Sequence, residues 1–369
     1  SSQDRKGEDA SERHREEPTG ADFGCLDTYG RKIGYSAPEP AKTADLIEKL
    51  KRLKVKKSTS EMVARELRSR GLDHVADRLS RCGSYVALKD YLESEKISVS
   101  QANWCNLHKL CPMCAHYRGV NSAKVLSEKI SQVVREQKLI PVLVTWTIKN
   151  GPDLEERFQH LKTSIKKYFK SVRNAREGRR KPLIGNHFEG GAEFIEIIRG
   201  KWPNWHPHCH AIYFIKPGAL KFYEPKKSHR GRWVLDSEPY RQFVSEWERV
   251  TGDSKMVSMV LPQSSRQIMN GKNPDDVDFM SETLEASKYI TKFLPGIETD
   301  LIEIHEKTYR KHLRYMRGCL RGLKLPEDPA DLEIADLDYW LREYSWNHNR
   351  YQHMTSHLIK VGVDTEPKT

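Results

Sequence analysis

Trp205-His206-Pro207-His208-Cys209-His210-Ala211-Ile212-Tyr213-Phe214 is the stretch whose residue types and spacing point most directly to chemistry. On a strand, alternate residues share a face, so His206, His208 and His210 point the same way. Cys209, Ile212 and Phe214 are expected on the other face, toward the core. Two imidazoles two residues apart on a rigid strand can grip one divalent cation, and a carboxylate from a neighbouring strand would complete the set. Glu196, set in the apolar run Ile195 to Ile198, is the candidate. A carboxylate in mid-strand is costly unless it is paired or binds metal. Glu193, nearer the strand start, is expected to be more easily solvated. Two His and one carboxylate with open positions suit Mn²⁺ or Mg²⁺ holding a phosphate, and imidazole would also accept Zn²⁺. The plainer alternative is a cluster of partly exposed surface histidines. Three at alternate positions, facing a strand Glu, weigh against it.

A second group is Glu285-Ala-Ser-Lys288-Tyr289-Ile-Thr-Lys292. On a helix Glu285 and Tyr289 stand at i and i+4 and share a face, with Lys292 near it and Lys288 to one side. A Tyr, a carboxylate and a Lys can supply nucleophilic attack on a phosphodiester, water activation and charge stabilisation. Taken alone the same residues also describe an ordinary amphipathic helix.

The third group is cysteine. Seven occur, an odd number that does not suit a disulfide framework. Cys105, Cys111 and Cys114 lie close together, and Cys111-Pro-Met-Cys114 has the spacing that lets two thiolates share a tetrahedral ion. Cys82, followed by Gly83, is a plausible fourth ligand, with His108 as its rival. A structural Zn²⁺ site is expected, since four protein ligands leave no open position for water. Cys25, Cys209 and Cys319 read as small apolar fillers.

These groups must be held by elements that the pattern also outlines. Residues 1–40 are polar and expected to be flexible, with no apolar core of a secretory signal. Residues 41–81 form a basic helical region whose outer face carries Lys49, Lys51, Arg52, Lys54, Lys56 and Lys57. The cysteine module spans 82–120. The largest domain follows at 121–297, with strands near 140–148, 192–198, 208–215 and 255–261, helices near 122–137, 153–172, 238–250 and 280–294, and a basic insertion at 216–237. A helical C-terminal region, 298–369, closes the chain. The fold class is α+β, a central antiparallel sheet covered by helices, because strands and helices do not alternate regularly. No GxGxxG or P-loop motif is present, and no apolar run is long enough to span a membrane. With 63 Lys+Arg against 51 Asp+Glu, the net charge of +12 suggests an anionic partner, nucleic acid ahead of membrane. The loop Arg179-Arg180-Lys181, the insertion residues Arg230 and Arg232, and Lys288 are candidate DNA contacts. For Trp202 and Trp205, beside the histidine strand, the two readings are stacking on an unpaired base and packing.

In order and in kind, these parts resemble the HUH endonucleases, specifically rolling-circle replication initiators of small bacterial plasmids. Leu143-Val-Thr145-Trp-Thr147 is similar to the first motif of that family, His206-Pro-His208-Cys209-His210 to the second, and Glu285 through Lys292 to the third. The Cys-Pro-Met-Cys knuckle matches the same group, and the likeness covers about 80–325. Departures are the five residues between Cys105 and Cys111 where four are expected, the insertion Lys226 to Arg232, and residues 1–80, which carry no family motif. The resemblance implies nicking of single-stranded DNA at an origin hairpin, with His208, His210 and Glu196 holding the metal and Tyr289 forming a 5′-phosphotyrosine. It further implies that Glu285, where some relatives carry a second Tyr, activates the water that ends a round. It also implies a host helicase as partner and a bacterial cytoplasmic setting. A transposase of the same superfamily, or a non-catalytic zinc-ribbon protein, are the rival readings.

Overall fold

A computed structural model of the chain describes residues 25–26, 32–33, 40–92, 96–200, 203–224, 233–286, 298–323 and 337–360. The flexible N-terminus expected over 1–40 falls almost wholly outside the described residues. Strands β1 (Cys25–Leu26) and β2 (Lys32–Ile33) pair only with each other. Helices α1 (Pro40–Ser69) and α2 (Asp73–Arg81) then lead into a hairpin of β3 (Tyr85–Tyr91) and β4 (Ile97–Ala102). Helix α3 (Pro112–Gln137) starts at the cysteine knuckle, with Pro112 in its first turn, and ends at Lys138 in the left-handed conformation. Beyond it come β5 (Ile140–Thr147), α4 (Leu154–Arg176), β6 (Gly190–Arg199), β7 (Trp205–Ile215), β8 (Phe222–Tyr223) and β9 (Trp233–Leu235). The order continues with α5 (Ser237–Thr251), β10 (Val257–Leu261), α6 (Gln263–Met269), α7 (Met280–Ala286), α8 (Glu298–Lys307), β11 (Arg314–Gly318), β12 (Tyr339–Asn347) and β13 (Arg350–Ile359).

The α+β expectation holds. Seven strands form one sheet in the order β11-β6-β7-β5-β10-β9-β8, and four form a second in the order β13-β12-β3-β4, with every pairing antiparallel. The tail differs from the expected helical region. It keeps one helix, α8, and then runs as β11 at the edge of the large sheet and as the hairpin β12–β13. Tyr339, Trp340, Tyr344 and Trp346 supply the β-favouring aromatic residues, and β12 finds a partner in β3, more than two hundred positions earlier.

Side-chain parity gives the large sheet two unlike faces. Val142, Val144 and Trp146 of β5, Ile195 and Ile197 of β6, and Cys209, Ala211 and Tyr213 of β7 are buried on one face. They lie under Phe158, Leu161 and Tyr168 of α4 and Phe243 and Trp247 of α5. The other face carries Ala192 and Phe194 of β6 and Ile212 and Phe214 of β7, covered by Leu126, Ile130 and Val133 of α3 and Ala286 of α7. This corrects the expectation that Ile212 and Phe214 oppose the histidines. The strand period of two puts His206, His208, His210, Ile212 and Phe214 on one face, and only Cys209 of the expected set on the other. That face is therefore apolar and helix-covered at one end and polar at the other.

Two glycines let β6 enter this sheet. A Cβ at Gly191 would run into the carbonyl of Ile212 on β7, and one at Gly190 into the backbone of Arg317 and Cys319. The basic face of α1 also needs one correction. Lys57 is 0% exposed, bonded through Nζ to the Ser80 carbonyl, 3.4 Å from Glu61 and near the Trp346 ring, so it belongs to the interior.

Candidate metal centres and the nucleic-acid face

Register assembles the first centre. On the three central strands Glu196 of β6 lies opposite His208 of β7, which lies opposite Thr147 of β5, and His210 lies opposite Thr145. Glu196 Oε2 is 2.8 Å from His208 Nε2 and 3.1 Å from His210 Nε2, and the two imidazole nitrogens are 3.0 Å apart. Three donors at the corners of one octahedral face, each about 2.1 Å from the ion, stand about 3.0 Å from one another. The three donor atoms are thus close enough together to share one divalent cation.

The partners of this set are local. Thr145 Oγ1 is 3.3 Å from His210 Nδ1, and His206 is bonded through Nδ1 to the side chain of Asn150. Burial works to raise the Glu196 pKa, but hydrogen bonds from His208 and His210 outweigh it and hold the carboxyl down at about 2. Burial, and then the neighbouring His208, lower the pKa of His206. His206 thus shares the strand face but not the donor set, since the cluster consists of Glu196, His208 and His210.

Glu193 is the reverse of what the sequence suggests. It is 1% exposed, accepts from Tyr213 Oη at 2.7 Å, and is held by the Arg317 guanidinium, with Nη2 at 2.9 Å. Odd parity turns it toward the face away from the metal set, and β11, an edge strand not anticipated from the sequence, delivers its cation.

The second centre comes from three separate segments. Cys82 precedes β3, Cys105 follows β4, and Cys111 and Cys114 open α3. The Cys82 sulfur lies 3.5 Å from those of Cys111 and Cys114, and Cys105 is 3.6 Å from Cys114. Sulfurs about 2.3 Å from a tetrahedral ion stand about 3.8 Å apart, so the cluster fits one. Hydrogen bonding from Cys105 and the other sulfurs pushes the Cys82 thiol up. Burial opposes ionisation of Cys111, yet hydrogen bonds from the other three sulfurs hold its thiol down. The choice left open for the fourth ligand is resolved in favour of Cys82. His108 lies outside the cluster, 2.8 Å from an Arg118 nitrogen through Nδ1, and is pulled down to about 4 by burial and by the charges of Arg118 and Lys109. The extra residue between Cys105 and Cys111 is absorbed in the loop, where Asn106 adopts a positive φ of 60°.

The remaining site residues divide. Tyr289, Lys288 and Lys292 lie outside the described residues, as do Arg230, Arg232 and Trp202. Glu285 is the penultimate residue of α7. Helix α7 packs on the face that carries the metal set, with Ala286 buried among Phe194, Ile212 and Phe214. Arg179, Arg180 and Lys181 are exposed on the loop after α4, in the layer on the opposite face. Trp205 is fully buried, donating to Glu303 at 3.1 Å with the Arg199 guanidinium 3.6 Å over its ring, so it packs and does not stack on a base. Cys209 is a buried filler, as expected.

Two groups were not visible beforehand. Asn150, just beyond β5, reaches His206. Arg314 lies opposite Phe194, which lies opposite His210, so a cation from late in the chain shares the metal face. No short-range motif carries that signal, because it depends on the β11–β6 pairing.

The comparisons with known proteins fall on this same core. A replication protein family model matches residues 96–234, which include three of the four cysteines, β5, Glu196, His208 and His210. A protein rep of Bacillus sp is 24% identical over 288 residues, covering 71% of this chain and 83% of the relative. One of Bacillus amyloliquefaciens is 25% identical, covering 62% of this chain and 61% of the relative. One of Streptococcus pneumoniae is 22% identical, covering 71% and 75% respectively. No solved structure matches. The chain is thus similar to replication proteins over a segment that contains the Glu-His-His set. Among the described residues, no helix is long and apolar enough to cross a membrane.

Glu193→Ala leaves the buried Tyr213 hydroxyl and the half-buried Arg317 without their carboxylate and should cost about 2 kcal/mol in urea unfolding. Glu196→Ala should cost far less and instead remove Mn²⁺ binding measured by titration calorimetry. If the two variants unfold alike, their roles are not separate. At the cysteines, Cys114→Ser should lose tightly held metal in a colorimetric release assay, whereas His108→Ala should keep it.

Proposed function

We propose that this chain initiates rolling-circle plasmid replication as a metal-dependent, site-specific DNA endonuclease and strand transferase of the HUH type, nicking single-stranded DNA at an origin hairpin. The observation that carries this reading is the facial set of Glu196, His208 and His210 on adjacent central strands. It lies within the segment similar to replication proteins. A zinc-ribbon protein without catalysis leaves that set unexplained. A transposase of the same superfamily would share the site and differ in its DNA.

Glu196, His208 and His210 would hold Mn²⁺ or Mg²⁺. When bound, such an ion withdraws charge from the phosphoryl oxygens of the scissile phosphate. Tyr289 is the proposed nucleophile. Its phenolic oxygen attacks phosphorus, the bond from phosphorus to the 3′ oxygen breaks, and a 5′-phosphotyrosine and a free 3′-OH result. The proton lost by the phenol is balanced by the one gained at the 3′ oxygen. A free phenol has a pKa of about 10, and Lys292, three residues further on in sequence, would stabilise the phenolate. The burial of Ala286 against the metal face supports delivery of this segment to the phosphate.

Glu285, at i−4 from Tyr289, is the proposed general base for the closing cleavage. A carboxylate activates water but does not store a stable phosphodiester, so the protein finishes one round. Zn²⁺ at Cys82, Cys105, Cys111 and Cys114 would have a structural role. Arg179, Arg180, Lys181, Arg230, Arg232 and Lys288 would contact DNA phosphates. A host helicase and the bacterial cytoplasm belong to the same proposal.

The test is incubation of a hairpin oligonucleotide with the full chain and Mn²⁺, followed by a denaturing gel. The wild type should give an SDS-resistant protein–DNA adduct and Tyr289→Phe none. An adduct that persists in that variant rules out the nucleophile. Glu285→Ala should nick normally and fail at termination, and equal loss of both steps would refute a separate role for it.

A further inference from the structure

Between the cysteine module and strand β11 runs a cleft that the catalytic reading does not use. One half, about 420 Å³, is lined by the face of α3 that carries Tyr117, Arg118 and Asn121, by Trp104 after β4, and by Arg314 and Met316 of β11. The other half, about 660 Å³, shares Asn106, His108, Arg118, Arg314 and Met316 with the first and continues along the loop after α8. Among the described residues that line the two halves, none is Asp or Glu. The cations are Lys109, Arg118, Lys129, Arg310, Lys311 and Arg314. Lys311 is partly engaged by Glu155 at 2.8 Å from outside the cleft.

The cleft also has an aromatic wall. Trp104 and Tyr117 are stacked, with centroids 4.5 Å apart and an interplanar angle of 20°. Trp104 is half-buried and Tyr117 exposed. A groove of cations beside a ring platform is the chemistry of single-strand binding, in which phosphates meet the charges and a base stacks on the rings.

Its position ties it to the metal face. Arg314, Phe194 and His210 are cross-strand partners in one row, so their side chains project to the same side. Two strand spacings, about 10 Å, separate Arg314 from His210.

We propose that this cleft binds the single-stranded DNA flanking the phosphate to be cut, with Arg118 and Arg314 on its phosphates and the Trp104–Tyr117 pair under one of its bases. The inference rests on the nicking function proposed above and names where that site's substrate strand runs. It gives the cysteine module a direct role: the ion-bound knuckle forms one wall of the channel.

The probe is a fluorescein-labelled oligothymidylate, with the full-length, metal-loaded chain followed by fluorescence anisotropy. Arg118→Glu combined with Arg314→Glu should weaken binding at least about tenfold and reduce its salt dependence. Arg241→Glu, an exposed cation on α5 across the sheet, should leave affinity unchanged. Tyr117→Ser should weaken binding by about tenfold without altering circular dichroism. Should that variant misfold, photo-cross-linking of a 5-iodouracil oligonucleotide to Trp104 or Tyr117 in the wild type reads the same contact. Unchanged affinity in the charge-reversed chain, cross-links only elsewhere, or equal competition by duplex would each overturn the cleft assignment. A wild type that binds oligothymidylate through the cleft but forms no covalent adduct would instead overturn the nicking function and leave the cleft a single-strand site.

Discussion

A carboxylate sunk into the central strands of a sheet is the constraint on which this protein turns. Glu196 is 6% exposed, on a strand hydrogen-bonded on both sides. Its charge is tolerable only with partners in reach, and those partners come from the neighbouring strand through register alone. A slip of one residue in β7 would swing both imidazoles to the opposite face, under α4 and α5. That register is held from behind. Trp146, Cys209 and Tyr213 lock the opposite face under α4 and α5, and Gly191 at the start of β6 permits the close approach of β7. The core behind the sheet is therefore the support of the site in front of it.

Two carboxylates on one strand show how far parity decides chemistry. Glu193 and Glu196 are both buried, three positions apart, and face opposite ways. Glu193 meets a guanidinium and a phenol, a closed and satisfied arrangement. Glu196 meets two imidazoles, which are ligands when neutral and cations only when protonated. The first is a structural ion pair, and the second is a donor set poised for a metal.

Short-range pattern carried much of this. The alternation of His206, His208 and His210, the isolated Glu in an apolar strand, and the Cys-x-x-Cys spacing are all signals within a dozen residues, and the structure brings each group together. What failed was long-range or a matter of counting. The misplacing of Ile212 and Phe214 was an error of parity. The tail read as helical although β12 pairs locally with β13, because the partners that place β11 and β12 in their sheets, β6 and β3, lie far away in sequence. Lys57 looked like one more cation on a solvated face, and only the packing of α2 and β12 around it makes it interior. Glu193 looked solvated because the arginine that neutralises it arrives from β11.

Helix α3 joins the two metal centres into one mechanical unit. Its first turn carries Cys111 and Cys114, and its later turns place Leu126, Ile130 and Val133 on the face of the sheet that holds Glu196, His208 and His210. Its 26 residues span about 39 Å at the usual rise of 1.5 Å per residue. A helix that long is a stiff strut only if both ends are fixed. The sheet fixes one end by apolar packing. The other rests on a knuckle whose four thiols come from three segments, an arrangement that favours dispersal unless a cation binds them. An ion bound there would set where the face of α3 with Tyr117 and Arg118 stands relative to Arg314 and the strands of the Glu-His-His set. Its loss would then shift one wall of the proposed nucleic-acid cleft without touching a single residue of that set.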